Sequence, residues 1–431
     1  MADRILRGRV LSFKSRPNSI DDHESYFYFE DGAVLIRGED IAAFGEYSDL
    51  SAKARSVEVI DHRPHLILPG LIDTHNHLPQ MQVIGSYGAQ LLDWLNTYTF
   101  PAEASFADET HAKRISAAYF DEMLRNGTTS TVAYCSVHKH SADAYFAEAE
   151  RRNMCVVGGK VMMDRNAIQA VHDTAQSGYD DTKALIAQWH RRGRGHYAIT
   201  PRFAITSSPE QLAASQALVA EFPDCYVQTH ISENRKEIEF TLELYPEDQD
   251  YLAIYERYGL LGNKSLFGHS IYLSDRERQA MAESGSIAVF CPTSNLFIGS
   301  GLFDEAATRS AGVRIAVATD IGGGTSCSML RTMDEAYKVL QLQNQNLNPL
   351  ASFYMMTLGN AEAISLSDEI GTLDAGSKAD ICVMDSLATP GMALRMEAAN
   401  SLSEELFILQ TMGDDRSVSE VYVAGEPCRP A

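Results

Sequence analysis

The stretch Leu66-Ile67-Leu68-Pro69-Gly70-Leu71-Ile72-Asp73-Thr74-His75-Asn76-His77-Leu78-Pro79-Gln80 decides how the rest of the chain is read. An apolar run enters it, a Pro-Gly pair interrupts, and a second apolar pair leads to two histidines one residue apart. Alternate side chains of an extended strand share a face, so His75 and His77 can aim both imidazoles at one point, as a metal ion requires. A His-x-His on its own is weak evidence, since most surface histidines bind nothing. The decision rests on whether further ligands stand at the ends of later strands.

Composition narrows the classes. With 431 residues, 45% apolar and 22% charged, the chain reads as globular, with one large domain and a smaller one. There are 36 Lys and Arg against 58 Asp and Glu, a formal charge of -22. That balance disfavours nucleic acid and anionic membrane as partners, because both select a basic patch. No apolar run has the length of a membrane span and Met1-Ala2-Asp3-Arg4 does not read as a signal peptide, so a cytoplasmic setting is expected. Seven cysteines without a Cys-x-x-Cys pair indicate neither a disulfide framework nor a thiolate zinc site.

Outward from the opening stretch, strand-like runs recur at 66–77, 128–135, 155–163, 197–205, 226–232, 265–273, 286–292 and 314–319. Helical stretches at 111–125, 142–152, 209–221, 235–245 and 275–284 separate them. Short apolar strands alternating with helices imply parallel βα units, and eight units imply an α/β fold of the (β/α)8 TIM-like barrel type. A doubly wound open sheet is the runner-up, but its Gly-x-Gly-x-x-Gly after the first strand is missing. The two ends of the chain are β-rich: 7–13, 26–29, 33–41 and 57–60 at one end, 381–384 and 418–424 at the other, with turns at Asp31-Gly32 and Gly38-Glu39. Segments this short need a partner sheet. The expected organisation is a small β-sandwich domain built from 1–66 plus 371–431, with a catalytic barrel, 67–370, inserted between its halves. Residues 387–415 are ambiguous between a helix outside the barrel and part of a dimer surface.

Polar residues end several of these runs. His75 and His77 close strand one, His230 closes strand five with Glu233 three residues on, His269 closes strand six, and Asp320 closes strand eight. Any one histidine is more often a packed core residue than a ligand. Four histidines and an aspartate at the same end of four strands, where such a barrel opens its active site, are hard to explain by packing. A second His-x-His, His138-Lys139-His140, lies past the end of strand two beside a polar segment and reads as solvated or at the rim.

This ordered set resembles the amidohydrolase superfamily, over the whole chain. The resemblance implies a metal held by His75, His77, His230 and Asp320, with His269 close by. Strand four lacks the lysine that bridges two metals in other branches, which points to the mononuclear deaminase branch and one divalent ion. The residue types suit zinc, with iron the alternative. A divalent ion lowers the pKa of bound water from about 15.7 toward about 7. In that branch Glu233 is expected to carry protons, Asp320 to accept one from water, and His269 to steady developing charge.

Finer segments resemble the guanine deaminase family within that branch: Asp73 to Gln80, the run Leu91-Leu92-Asp93-Trp94-Leu95-Asn96-Thr97-Tyr98-Thr99-Phe100-Pro101-Ala102-Glu103, Pro201-Arg202-Phe203, His230 to Asn234, and Cys291-Pro292-Thr293-Ser294-Asn295-Leu296. What the resemblance implies is hydrolysis of guanine to xanthine and ammonia in purine catabolism, with a purine base as partner and a homodimer as assembly. Gln80 and Arg202 would bond the purine and Phe203 would line its pocket, with His77 and His230 also against the substrate. The nearest alternative is a deaminase of the same branch acting on cytosine, adenosine, a pterin or a triazine. A catalytically dead relative would show broken ligands, and none is broken. The other zinc-deaminase signature, His-x-Glu with Pro-Cys-x-x-Cys, is absent.

Overall fold

The computed structural model describes residues 3–87 and 91–430; Met1, Ala2 and Ala431, at the outer limits of the expected small domain, lie outside the described residues. Eight parallel strands run in sequential order around the central sheet. They are Leu71–His77, Thr128–Tyr134, Cys155–Gly159, Gly195–Pro201, Tyr226–Ile231, Ser265–His269, Ile287–Phe290 and Arg314–Val317, hereafter strands one to eight. A two-residue extension, Val161–Met162, continues strand three along strand four. Nearly every residue of these strands is buried, on both faces of the sheet, so they do not show the buried–exposed alternation of a one-sided sheet. At about 1.5–3 kcal/mol for each large aliphatic side chain removed from water, this burial drives the architecture.

Strands one and eight complete the ring without a regular ladder. The Asp320 N–H donates to the His75 carbonyl at 2.9 Å, and the His77 N–H donates to Ile321 O at 2.6 Å. Buried Asp73 accepts from the Thr319 N–H at 3.0 Å, and Thr74 Oγ1 donates to Val317 O at 3.0 Å. This seam holds the first and last groups of the predicted metal set side by side.

Helices form where their caps are written. Ser208 accepts from the Gln211 N–H ahead of Pro209–Glu221, and Ser274 and Glu277 form a capping box at Asp275–Ser284. Gly285, at φ +70°, ends that second helix in the left-handed conformation open to glycine. The ambiguous stretch 387–415 holds two helices outside the barrel, Pro390–Met396 and Leu402–Met412; in the second, Gln410 Nε2 donates to Met333 O at 2.9 Å.

The ends of the chain meet in one mixed sheet of seven strands. Ile381–Met384 pairs antiparallel with Glu58–Pro69, joining the C-terminal part to the N-terminal part. Four expectations need correction. The 66–77 run is two strands in two sheets: Pro69 and Gly70 break it, and a Cβ on Gly70 would lie 2.1 Å from Thr129 Oγ1. Asp31-Gly32 is not a turn; Tyr26–Arg37 is a single strand, and Gly32 lets it pass where a Cβ would meet Val10 Cγ2 at 2.8 Å. Strand four stops at Pro201, short of Ile205, where the chain enters the short helical turn Ala204–Thr206. Strand six stops at His269, short of Leu273, where the left-handed backbone at φ +69° ends the extended run.

The sheet is tied to the barrel by charge as well as by apolar packing. Arg194, just before strand four, forms a two-pronged contact with Asp380, at 3.0 Å and 2.5 Å, both side chains buried. Asp380 Oδ1 also accepts from the Ala424 N–H at 2.9 Å. Removing one partner of a buried pair leaves the other charged and unsolvated. Asp380→Ala is therefore expected to lower the unfolding free energy by about 3–5 kcal/mol, read from denaturant midpoints. A loss below about 1 kcal/mol, the worth of an exposed pair, would remove this pair from the coupling between sheet and barrel.

Candidate functional site

The parallel barrel brings the strand ends together. Ligand-capable atoms of His75, His230, His269 and Asp320 all lie within 4.8 Å of one another, and all four residues are buried. His77 joins them: its Nε2 is 3.1 Å from His230 Nε2 and 3.4 Å from Asp320 Oδ1. His75 Nε2 stands 3.3 Å from the same Asp320 oxygen. Thus the five residues expected at strand ends converge. Strand six pays a steric condition for this, since Gly268 lies opposite His230 in the register and a Cβ there would come within 2.5 Å of His75 Cε1.

The donor chemistry fits a cation. His230 Nδ1–H donates to the Arg202 carbonyl at 2.8 Å, which leaves Nε2 with its lone pair directed inward. His75 Nε2 is buried without a hydrogen-bond partner among the described residues. Burial pushes the pKa of His77 and His230 well down, helped by the Arg202 charge, and lowers His75 as well. These rings are therefore neutral, the form that ligates metal. Burial alone would raise Asp320, but the His75 contact and the His269 charge outweigh it and hold the carboxyl at about 2. Neutral imidazoles facing one another around an ionised carboxylate leave room in their chemistry for a divalent ion.

Glu233 sits at the start of the helix Arg235–Leu244. A capping box positions it: Glu237 Oε2 accepts from the backbone N–H groups of Glu233, at 2.8 Å, and Asn234, at 2.9 Å. Ser300 donates to Glu233 Oε1 at 2.7 Å, while Oε2 faces His269 Nε2 at 3.4 Å. Burial raises the Glu233 pKa, with the His269 charge opposing and Asp320 adding to the rise. Burial would lower His269, but the Glu233 and Asp320 carboxylates outweigh it and raise it. His269 Nδ1–H donates to Asn295 Oδ1 at 2.9 Å, which fixes the ring. Left-handed backbone recurs here, at Ser232 (φ +50°), His269 (φ +69°) and Asp320 (φ +51°), as strands turn abruptly to present these groups.

The same cleft is also lined by Gln80, Arg202 and Phe203 together with Trp94, Leu95 and Ile298. Arg202 follows the end of strand four, and its backbone carbonyl is the acceptor that orients His230, so one residue both lines the cleft and fixes a histidine of the cluster. Its guanidinium contacts Glu103 Oε1 at 2.6 Å, and Gln80 Nε2 donates to that oxygen at 3.0 Å. Gln80 Oε1 accepts from the Gly322 N–H at 3.2 Å.

Glu103, Ser300 and Asn295 were not singled out from sequence as site residues. Glu103 and Asn295 occur there only inside longer quoted segments, and Ser300 lies in a Gly-Ser-Gly loop with no pattern of its own. The second His-x-His stays apart from the site: His138 and His140 are half-buried and stacked at 5.8 Å, and His140 Nε2 donates to Phe106 O at 2.5 Å. Gly268→Ala is expected to displace His75 and to lower metal content per chain well below that of wild type, with the barrel still folded by circular dichroism. Wild-type metal content in that variant would mean that His75 needs no such clearance.

A model of the amidohydrolase family matches residues 66–428. A guanine deaminase of Escherichia coli (strain K12) is 46% identical over 427 residues, 98% of this chain and 97% of that protein. The solved structure of E. coli guanine deaminase superposes with a TM-score of 0.96 at 43% identity, over 99% of each chain. A guanine deaminase from C. acetobutylicum, solved with guanine bound in the active site, superposes with a TM-score of 0.89 at 27% identity, again over 99% of each chain. With its strand-end histidines and aspartate gathered at one mouth of the barrel, the chain belongs to the amidohydrolase family.

Proposed function

We propose that this chain hydrolyses guanine to xanthine and ammonia, with one divalent metal held by His75, His77, His230 and Asp320. The observation that carries the reading is a single cleft lined by His77, His230, Glu233, His269 and Asp320 together with Gln80, Arg202 and Phe203. Reactive and recognition groups share one small volume, as a deaminase of a compact heterocycle requires. The 46% identity to a guanine deaminase over nearly the whole chain supports the same substrate.

A divalent ion bound there supplies activated water, whose pKa it lowers toward about 7. The protein does the rest. Arg202 offers N–H donors to the purine carbonyl, Gln80 can donate and accept along the ring edge, and Phe203 gives an apolar face. Asp320 accepts the proton that water gives up. Glu233 protonates the ring nitrogen beside the amino-bearing carbon, and His269 steadies the charge that develops there. A carbon–oxygen bond forms and the carbon–nitrogen bond breaks. Of the two protons that water brings, one replaces the proton Glu233 leaves on the ring nitrogen. The other, taken up by Asp320, passes to the amino group, which departs as ammonia. Zinc in preference to iron, a homodimer, a cytoplasmic setting and a role in purine catabolism belong to the same proposal. Among the described residues no helix is long and apolar enough to cross a membrane.

Ammonia release from guanine, cytosine, adenine and a pterin, with metal content per chain, tests the reading. Guanine should be strongly preferred; preference for another base would keep the chemistry and overturn the pocket assignment. Glu233→Gln is expected to keep metal and fold while losing about 10²–10⁴-fold in kcat, the usual worth of a positioned acid/base. Near-wild-type turnover in that variant would remove Glu233 from proton transfer.

A further inference from the structure

Glu103 is absent from the cleft lining, yet it holds both polar groups that are proposed to recognise the purine. Its Oε1 contacts the Arg202 guanidinium at 2.6 Å and accepts from Gln80 at 3.0 Å. Its side chain is 1% exposed and that of Arg202 3%, so water screens neither charge. Among the described residues it is the carboxylate ion-paired with Arg202. Phe100, three residues earlier on the same short helix, places its ring under the guanidinium at 5.5 Å. Within this set the recognition half of the cleft is a neutral pair, a cation and the carboxylate behind it.

We propose that Glu103 is a positioning residue that sets the charge specificity of the cleft, by cancelling the Arg202 charge so that neutral oxopurines are taken and anionic ones refused. The inference rests on the purine reading above for its class of ligand. Arg202 still offers N–H donors to a carbonyl, but a net charge of zero gives an anionic ring no electrostatic return for the water it loses. Gln80, tied at its amide nitrogen to Glu103 and at its oxygen to Gly322, is held in one orientation by the same carboxylate. Without the carboxylate the guanidinium becomes an uncompensated buried cation, and the preference reverses.

The test is calorimetric binding of hypoxanthine, a neutral oxopurine, and urate, an anionic one, to wild-type holoenzyme and to Glu103→Gln. Glutamine keeps an oxygen acceptor for Arg202 and Gln80 but removes the charge. Urate should bind the variant about tenfold or more tightly relative to hypoxanthine than it binds wild type, given the size of close charge couplings at buried sites. An unchanged ratio, or equal weakening of both ligands, would overturn the proposal and leave Glu103 a purely structural residue. Should Glu103→Gln not fold, Glu103→Asp carries the test: it must raise KM for guanine yet keep the wild-type preference for the neutral ring, and a shift toward urate would overturn the proposal. Absence of guanine turnover in wild type would sink the reading of the previous subsection, while the binding ratio would still decide this one.

Discussion

Keeping four imidazoles and two carboxylates out of water at one point is the constraint on which the structure turns. Each of these groups loses hydration on burial, and burying even one without a partner costs several kcal/mol. The protein answers with directed contacts: the Arg202 carbonyl orients His230, Asn295 orients His269, and Ser300 and the Glu237 capping box hold Glu233. Burial then does chemical work, keeping His75, His77 and His230 neutral while Asp320 stays ionised. The lone pairs that remain inside are a cost to the empty protein and a gain once a cation satisfies them.

Much of this was legible in the chain. The barrel followed from apolar strands alternating with helices, and the strand-end positions of His230, His269 and Asp320 followed from where each apolar run stops. Local chemistry wrote the caps at Ser208, Ser274 and Asn234, so those helix starts could be placed closely. What stayed hidden depends on partners distant in sequence. Gly32 reads as a turn residue until Val10 is seen lying across it, and Gly70 marks a change of sheet only because Thr129 packs against it. Glu103 is an ordinary helical glutamate in the sequence; Arg202, about a hundred residues away, gives it its meaning. Ser300 carries no signal of its own, since a hydroxyl in a Gly-Ser-Gly loop has many uses.

The cleft and the histidine cluster are mechanically joined. Arg202 turns its side chain to Glu103 and its carbonyl to His230, so a shift of the backbone after strand four disturbs both contacts together. Left-handed φ angles at Ser232, His269 and Asp320 show the same economy, in that the turns which aim the reactive groups are also the ends of the strands that make the barrel. Such conformations persist only where the surroundings over-determine them, and here the strand pairing and the seam do so.

The seam between strands one and eight has a consequence for biosynthesis. The groups that face one another there are His75 and Asp320, so a chain still emerging from the ribosome carries no complete site until strand eight is free. The terminal sheet closes later still, when Ile381–Met384 pairs with the strand that ended at Pro69 and Val418–Val423 pairs in turn with Ile381–Met384. Assembly of the histidine–aspartate cluster is thus tied to the last stages of synthesis, and a truncated or cleaved chain that lacks strand eight keeps the four histidines without Asp320.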